Sequence, residues 1–130
     1  MRVFIDTGYF FARLVARDQW HERAKKAVPP DLEAVTSSLV INETISLLQA
    51  KGMFSAALSF LRGIRGRPGV RIVHIDAVLQ AKAWELFGRW GATGANAVDC
   101  ASFAVMESLS IRKAFTFDEH FEIAGFKTLR

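Results

Sequence analysis

One cysteine, Cys100, stands in 130 residues. That excludes an internal disulfide and any cage of thiolates around a metal. Long apolar runs are missing as well: no window approaches the ~18 uninterrupted apolar residues of a membrane span. The first apolar run, Val3–Ile5, stops at Asp6, too short for the hydrophobic segment of a signal peptide. A cytoplasmic protein without a membrane partner is therefore expected. No repeat, low-complexity tract or linker interrupts the chain, which reads as a single domain over residues 1–130. The glycines at 63, 66 and 69 lack the spacing of a phosphate-binding loop.

What is present is a half-hydrophobic chain with a small positive excess, 17 basic against 13 acidic residues for a net +4. If several carboxylates are committed to cations, the remaining surface is more strongly basic and attracts polyanions. Short apolar runs alternate with helical patterns. Strands are expected at Val3–Ile5, Ala34–Ser37, Arg71–Ile75, Lys113–Phe117 and Phe126–Leu129. Helices are expected over 9–27 with a break near Asp18, then 39–51, 53–61, 77–90 and 97–109. Pro29 and Pro30 end the first helical stretch, and Gly52 ends the 39–51 helix. The strands are apolar without clean alternation, as in a parallel sheet covered on both faces. Strands separated by helices imply right-handed crossovers and a three-layer α/β/α sandwich with a short parallel sheet. In such folds functional groups gather at the carboxyl ends of the strands.

Four acids stand where that rule would place a site. Asp6 follows the first strand, Asp118 follows the Lys113–Phe117 strand, Glu43 is assigned to the first turn of the 39–51 helix, and Asp99 to the first turn of the 97–109 helix. Each has an ordinary explanation when taken singly. Asp6 and Asp118 can cap the helices that follow, Asn96 to Asp99 resembles a capping box, and Glu43 can be a solvated helix residue. Two of them resist that explanation. The 97–109 helix is apolar nearly all round and so must be buried, and a buried carboxylate at Asp99 needs a partner or a cation. Glu43 falls beside Leu47, at the rim of its helix's apolar stripe. Carboxylates gathered at one place repel unless a cation joins them. Mg²⁺ or Mn²⁺ takes oxygen ligands and can activate a water for phosphodiester cleavage without a side-chain nucleophile.

In this order and spacing the segments resemble those of a known family. Phe4-Ile5-Asp6-Thr7-Gly8 is similar to the opening of PIN domains, Asn42-Glu43 to the segment with their second acid, and Val98-Asp99-Cys100-Ala101-Ser102 to the segment with their third. Thr116-Phe117-Asp118-Glu119-His120-Phe121 is similar to their closing signature, with a hydroxyl residue two places before the last acid. The resemblance implies a Mg²⁺- or Mn²⁺-dependent endoribonuclease in which Asp6, Glu43, Asp99 and Asp118 form the acidic cluster and Thr7 and Thr116 support it. Asn96 either contacts substrate or only caps. The length resembles the compact VapC-like toxins of toxin–antitoxin pairs, which implies a homodimer, an RNA substrate and a small antitoxin protein as partner. The dimer also has a basis in the residues themselves, since Ile41, Ile45, Leu48, Met53, Phe54, Leu58, Phe60 and Leu61 offer more apolar surface than one side of a sheet covers.

Other functional groups are assigned ordinary roles. Arg62, Arg65, Arg67 and Arg71 read as a helix end and a solvated loop rather than an RNA contact. Asp76 reads as a helix cap, and Cys100 as buried and inert. Trp20, Trp84 and Trp90 read as core or interface. His21, His74 and His120 lack ligand spacing, although His120 stands close to Asp118. Two alternatives remain within reach of the sequence. One is a PIN-type nuclease that processes RNA or DNA without an antitoxin. The other is a non-catalytic binding or signalling α/β domain. A phosphoacceptor domain needs paired acids after the first strand, where Asp6 stands alone; a binding module has no use for four acids.

Overall fold

A computed structural model describes residues 1–26 and 31–129. Five strands, β1 (Arg2–Ile5), β2 (Glu33–Ser37), β3 (Val70–Val73), β4 (Lys113–Phe115) and β5 (Lys127–Leu129), form one sheet in the order β3-β2-β1-β4-β5. Every pairing in it is parallel. The described residues also form seven helices: α1 (Thr7–Leu14), α2 (His21–Lys26), α3 (Ser38–Ala50), α4 (Phe54–Arg65), α5 (Ala77–Trp90), α6 (Ala97–Ser108) and α7 (His120–Ile123). This is the expected α/β fold with a short parallel sheet. The helices form two packing groups that meet where α3 touches α6. α1 packs on α2 and α3, and α3 on α4; α5 packs on α6, and α6 on α7. Right-handed crossovers produce this division, because the chain moves outward from β1 to β3 and then returns across the sheet to β4. The onward connections of β1 and β4 leave in opposite directions. Between their carboxyl ends lies the crevice at which open α/β sheets place their ligands.

Strand β1 is central, and burial on both faces explains its unbroken apolar run. Val3 and Phe4 point to opposite faces and both are fully buried. Phe4 aligns with Val35 on one side and Ala114 on the other, and Ile5 aligns with Phe115. Tyr9, in the first turn of α1, stacks on Phe115 with ring centroids 4.6 Å apart. On the other group of helices Phe103 meets Phe121 edge to face at 5.0 Å. The helix α6 is as buried as its composition requires: Asp99 through Met106 are all buried.

Several boundaries differ from the sequence reading. The break expected near Asp18 is present, where Asp18 accepts the Trp20 N–H at 3.0 Å, but the first helix starts at Thr7 and ends at Leu14. The helix end assigned to Pro29 and Pro30 lies outside the described residues. The 53–61 helix runs on through Gly63 to Arg65, so Arg62 and Arg65 belong to its last turn rather than to a loop. Strand β3 is Val70–Val73, not Arg71–Ile75, because its register with Ala34–Ser37 ends at Val73. Strand β4 ends at Phe115, so Asp118 stands in the connection to α7 rather than directly behind a strand. Starting at Ser38, α3 holds Glu43 in its second turn, not its first. The surplus apolar residues of α3 and α4 are partly used within the chain: Ile41 and Leu48 are buried, whereas Phe54 is 58 % exposed.

Phe115 sits at the centre of this arrangement, in β4 beside β1 and beneath Tyr9. Phe115→Ala is expected to cost about 3–5 kcal/mol through lost burial and a residual cavity. A melting temperature within a few degrees of wild type would contradict the packing described.

Candidate active site

Asp6 is the first residue beyond β1, and its backbone N–H donates to the Phe115 carbonyl at 3.0 Å, continuing the β1–β4 ladder. It occupies the N-cap position of α1, yet its side chain caps nothing. Instead Asp6 Oδ2 accepts a hydrogen bond from the Thr116 hydroxyl at 2.8 Å. That hydroxyl in turn accepts the Asp118 N–H at 3.0 Å. On the far side of β1, Thr36 donates its hydroxyl to the Ile5 carbonyl at 2.9 Å, fixing the strand end that carries Asp6. Thr7, next in the chain, is buried, and its hydroxyl has no partner among the described residues.

Asp99 is the third residue of α6 and has two occupations. Its Oδ2 accepts the Asn96 N–H at 2.9 Å, and its own N–H donates to Asn96 Oδ1 at 2.9 Å, a complete capping box. Its other oxygen accepts no hydrogen bond among the described residues. Asn96 therefore caps. Asp118 accepts the backbone N–H of His120 on Oδ1 at 2.9 Å and the Nδ1 of the same residue at 2.6 Å. Asp99, Asp118 and His120 offer ligand atoms that all lie within 4.8 Å of one another. Glu43 is half-buried on α3 and outside that trio, although its negative charge bears on Asp99.

The electrostatics follow from burial of like charges. Desolvation pushes the Asp6 carboxyl up to about 7, against hydrogen bonds from Thr116 and the Thr7 backbone, and the charges of Asp99 and Asp118 raise it further. Desolvation likewise pushes Asp99 up to about 6; the Asn96 bond lowers it, and Asp118 and Glu43 raise it. His120 is raised above its ordinary value, chiefly by its hydrogen bond to Asp118. Among the described residues, no Lys or Arg forms an ion pair with Asp6, Glu43, Asp99 or Asp118. The structure thus brings Asp99 and Asp118 together with His120; Asp6 and Glu43 lie outside that trio, Asp6 joined to the Asp118 segment through Thr116 and in the field of Asp99 and Asp118, Glu43 in the field of Asp99.

A sequence model of the PIN domain matches residues 3–127. The chain belongs to the PIN-domain family. It is 36 % identical over 131 aligned positions, covering 98 % of both chains, to the 23S rRNA-specific endonuclease VapC20 of Mycobacterium tuberculosis. The crystal structure of that protein, described as a sarcin–ricin-loop-cleaving toxin, superposes with a TM-score of 0.87 over 95 % of both chains at 35 % identity. FitAcB from Neisseria gonorrhoeae shares the fold at 14 % identity, with a TM-score of 0.69 over 100 % of this chain and 97 % of that one. So does a chain of a toxin–antitoxin complex from Klebsiella pneumoniae, at 14 % identity and a TM-score of 0.63 over 90 % and 87 %.

Sequence reasoning placed His120 near the site, as a weak candidate without ligand spacing; its bond to Thr93 depends on a turn that the linear order does not reveal. Trp20 is placed as expected of a structural residue. It stacks on Phe117 at 5.1 Å and carries the Arg23 guanidinium over its ring at 5.5 Å. Trp84, by contrast, is 68 % exposed on α5. Asp76 caps α5, accepting the Leu79 N–H at 2.9 Å. Cys100 is fully buried, and burial pushes its thiol up.

In this PIN domain the raised acids set a pH dependence of stability. Between the ordinary value of 3.8 and about 6 to 7, Asp99 and Asp6 hold protons in the fold that the unfolded chain has released. Stability therefore falls as pH rises through that window. His120, also raised, contributes with the same sign as pH passes its folded value. With chelator present, the protein is expected to melt several degrees higher at pH 5 than at pH 8, and Asp6→Asn should flatten that difference. A metal-free stability that climbs between pH 5 and 8 would contradict the described burial.

Proposed function

We propose that this chain is a metal-dependent endoribonuclease, a hydrolase of RNA phosphodiester bonds and the toxin of a toxin–antitoxin pair. In this reading Asp6, Glu43, Asp99 and Asp118 form the acidic site for Mg²⁺ or Mn²⁺. The observation that carries the reading is the burial of Asp6 and Asp99 near Asp118 with, among the described residues, no Lys or Arg paired to any of them. Buried like charges of this kind are tolerated when a cation joins them. The donor chemistry fits a hard cation, since the groups are carboxylate oxygens, and the buried hydroxyl of Thr7, next to Asp6 in the chain, has no partner among the described residues. A bound divalent ion would supply an activated water and stabilise the leaving oxygen of the cleaved ester.

The chain's own groups have separable tasks. Thr116 holds Asp6 through Oδ2, and Asn96 holds Asp99 through Oδ2. His120 holds Asp118 through Oδ1. Asp99 and Asp118 each thereby keep one oxygen for a cation. The likeness to a 23S rRNA-specific endonuclease supports RNA as the substrate and makes ribosomal RNA the first to test. A small antitoxin protein, a second copy of the chain and a cytoplasmic site of action belong to the same proposal. Among the described residues, no helix is long and apolar enough to cross a membrane.

Cleavage of RNA is expected to require Mg²⁺ or Mn²⁺ and to stop in excess chelator. Asp6→Asn should reduce it by more than the ~10–100-fold typical of losing a residue behind the ligands, with the circular dichroism of the fold unchanged. Full cleavage in chelator, or normal cleavage by folded Asp6→Asn, overturns the reading.

The apolar surface left on the outside supports the second copy. Leu47 on α3 and Phe54 on α4 are 41 % and 58 % exposed, and Val78, Trp84 and Phe87 on α5 are 79 %, 68 % and 49 % exposed. Light scattering is expected to give the mass of a dimer at micromolar concentration; a monomer there counts against that part of the proposal.

A further inference from the structure

We propose that His120 is a positioning residue that staples the Asp118 segment to the turn ahead of Asp99, and so sets the spacing of the two acids. The inference rests on the metal-site reading above. The two acids arrive from different parts of the fold: Asp99 from the start of α6, Asp118 from the connection between β4 and α7. Their like charges push the two segments apart. Among the described residues, the His120 side chain makes the one hydrogen-bonded link between the 91–99 stretch and the 116–120 stretch. Its Nδ1 lies 2.6 Å from Asp118 Oδ1, and its Nε2 lies 3.1 Å from the Thr93 carbonyl oxygen.

The far end of the staple is a stiff turn. Residues Gly91–Thr93 form a 3-10 turn, closed by Gly94 N–H to the Gly91 carbonyl at 3.0 Å and by the Thr93 hydroxyl to the Trp90 carbonyl at 2.6 Å. Gly94 is required there for two separate reasons. Its φ of +106° is a left-handed conformation that side chains rarely adopt, and a Cβ on it would stand 2.7 Å from His120 Nε2. The turn therefore closes directly onto the imidazole, and Asn96, the cap that holds Asp99, follows two residues later. At the near end Asp118 Oδ1 takes both the backbone N–H and the Nδ1 of His120, which turns Oδ2 into the oxygen available to a cation. His120 has a ligand atom within 4.8 Å of those of Asp99 and Asp118, but its two ring nitrogens face Asp118 Oδ1 and the Thr93 carbonyl oxygen, both acceptors, so a ring that makes both bonds donates from each nitrogen and keeps no lone pair for a cation. That geometry assigns it to holding a ligand rather than to being one.

The test is Mn²⁺ affinity, read from the electron paramagnetic resonance of the free ion, with circular dichroism and melting to verify each fold. His120→Ala is expected to weaken binding by ~10–100-fold, the usual effect of losing a group that orients a ligand. His120→Asn keeps a donor near the Nδ1 position and should recover part of the loss. Gly94→Ala should weaken binding in the wild-type background. In the His120→Ala background it should cost less than in wild type, because the clash with the ring is gone and only the backbone strain at the positive φ remains. Electron spin echo spectra of the bound Mn²⁺ should show no imidazole nitrogen coupling. Asp118→Asn separates the two levels of the argument. If it abolishes Mn²⁺ binding while His120→Ala binds like wild type, the staple is wrong and the site stands. An imidazole coupling that vanishes in His120→Ala also overturns the staple, because His120 is then a ligand. If Asp118→Asn binds Mn²⁺ normally, the site reading and the staple fall together.

Discussion

The hydroxyl of Thr116 lies between two acidic segments, giving its proton to Asp6 Oδ2 at 2.8 Å and accepting the Asp118 N–H at 3.0 Å. Much of the site depends on that bond. It joins the end of β1 to the connection beyond β4, the two positions that border the crevice where the strand order reverses. Without it, a buried carboxylate at Asp6 would lack the hydrogen bond that most offsets its desolvation. A threonine suits the place because its single hydroxyl both donates and accepts. Valine, its isostere, would keep the packing and lose both bonds.

The same economy operates at Asp99. A capping residue and a site residue were competing accounts of one carboxylate when only the sequence was considered. The structure shows that a carboxylate has oxygens enough to be available for both: Oδ2 closes the capping box with Asn96, and the other oxygen makes no hydrogen bond within the described chain. Capping also orients the side chain, because the Asn96 N–H fixes where Oδ2 must lie. Asp118 follows suit, with Oδ1 held by His120. Ordinary local devices of helix and turn formation thus orient two of the carboxylates, Asp99 and Asp118, whereas Asp6 is held by the distant Thr116.

How much of this was legible in the sequence depended on the length scale of the signal. The parallel sheet was legible because Val3, Phe4 and Ile5 are apolar on both faces, and the burial of α6 because Asp99 to Met106 offers no polar face. The gathering of acids at one edge followed from their positions after strands and at helix starts. What the sequence did not carry was set by tertiary register. The turn of α3 that holds Glu43, the end of β4 at Phe115 and the short helix α7 depend on pairings with distant residues. His120 stood out in the sequence only as a weak candidate near Asp118, because its other partner, the Thr93 carbonyl, lies 27 residues away and offers no side-chain signature. Gly94 gave no signal either, since the approach of His120 to it arises only once the chain has folded.

The charge distribution connects this local arrangement to the task proposed for it. The chain carries a net +4, yet its buried acids are concentrated at the carboxyl edge of the sheet. A polyanion drawn to the basic surface meets local repulsion at the very crevice where cleavage would occur. On the proposed reading, a divalent cation held there would offset much of that negative charge, and so lower the barrier to a phosphate entering the crevice. Stability and activity are then coupled through the same charges. The metal-free fold tolerates Asp6 by raising its proton affinity, and in the proposed loaded state a cation would favour its ionised form. A more comfortable core, with Asp6 replaced by a neutral residue, would remove the repulsion and with it the means of holding the cation.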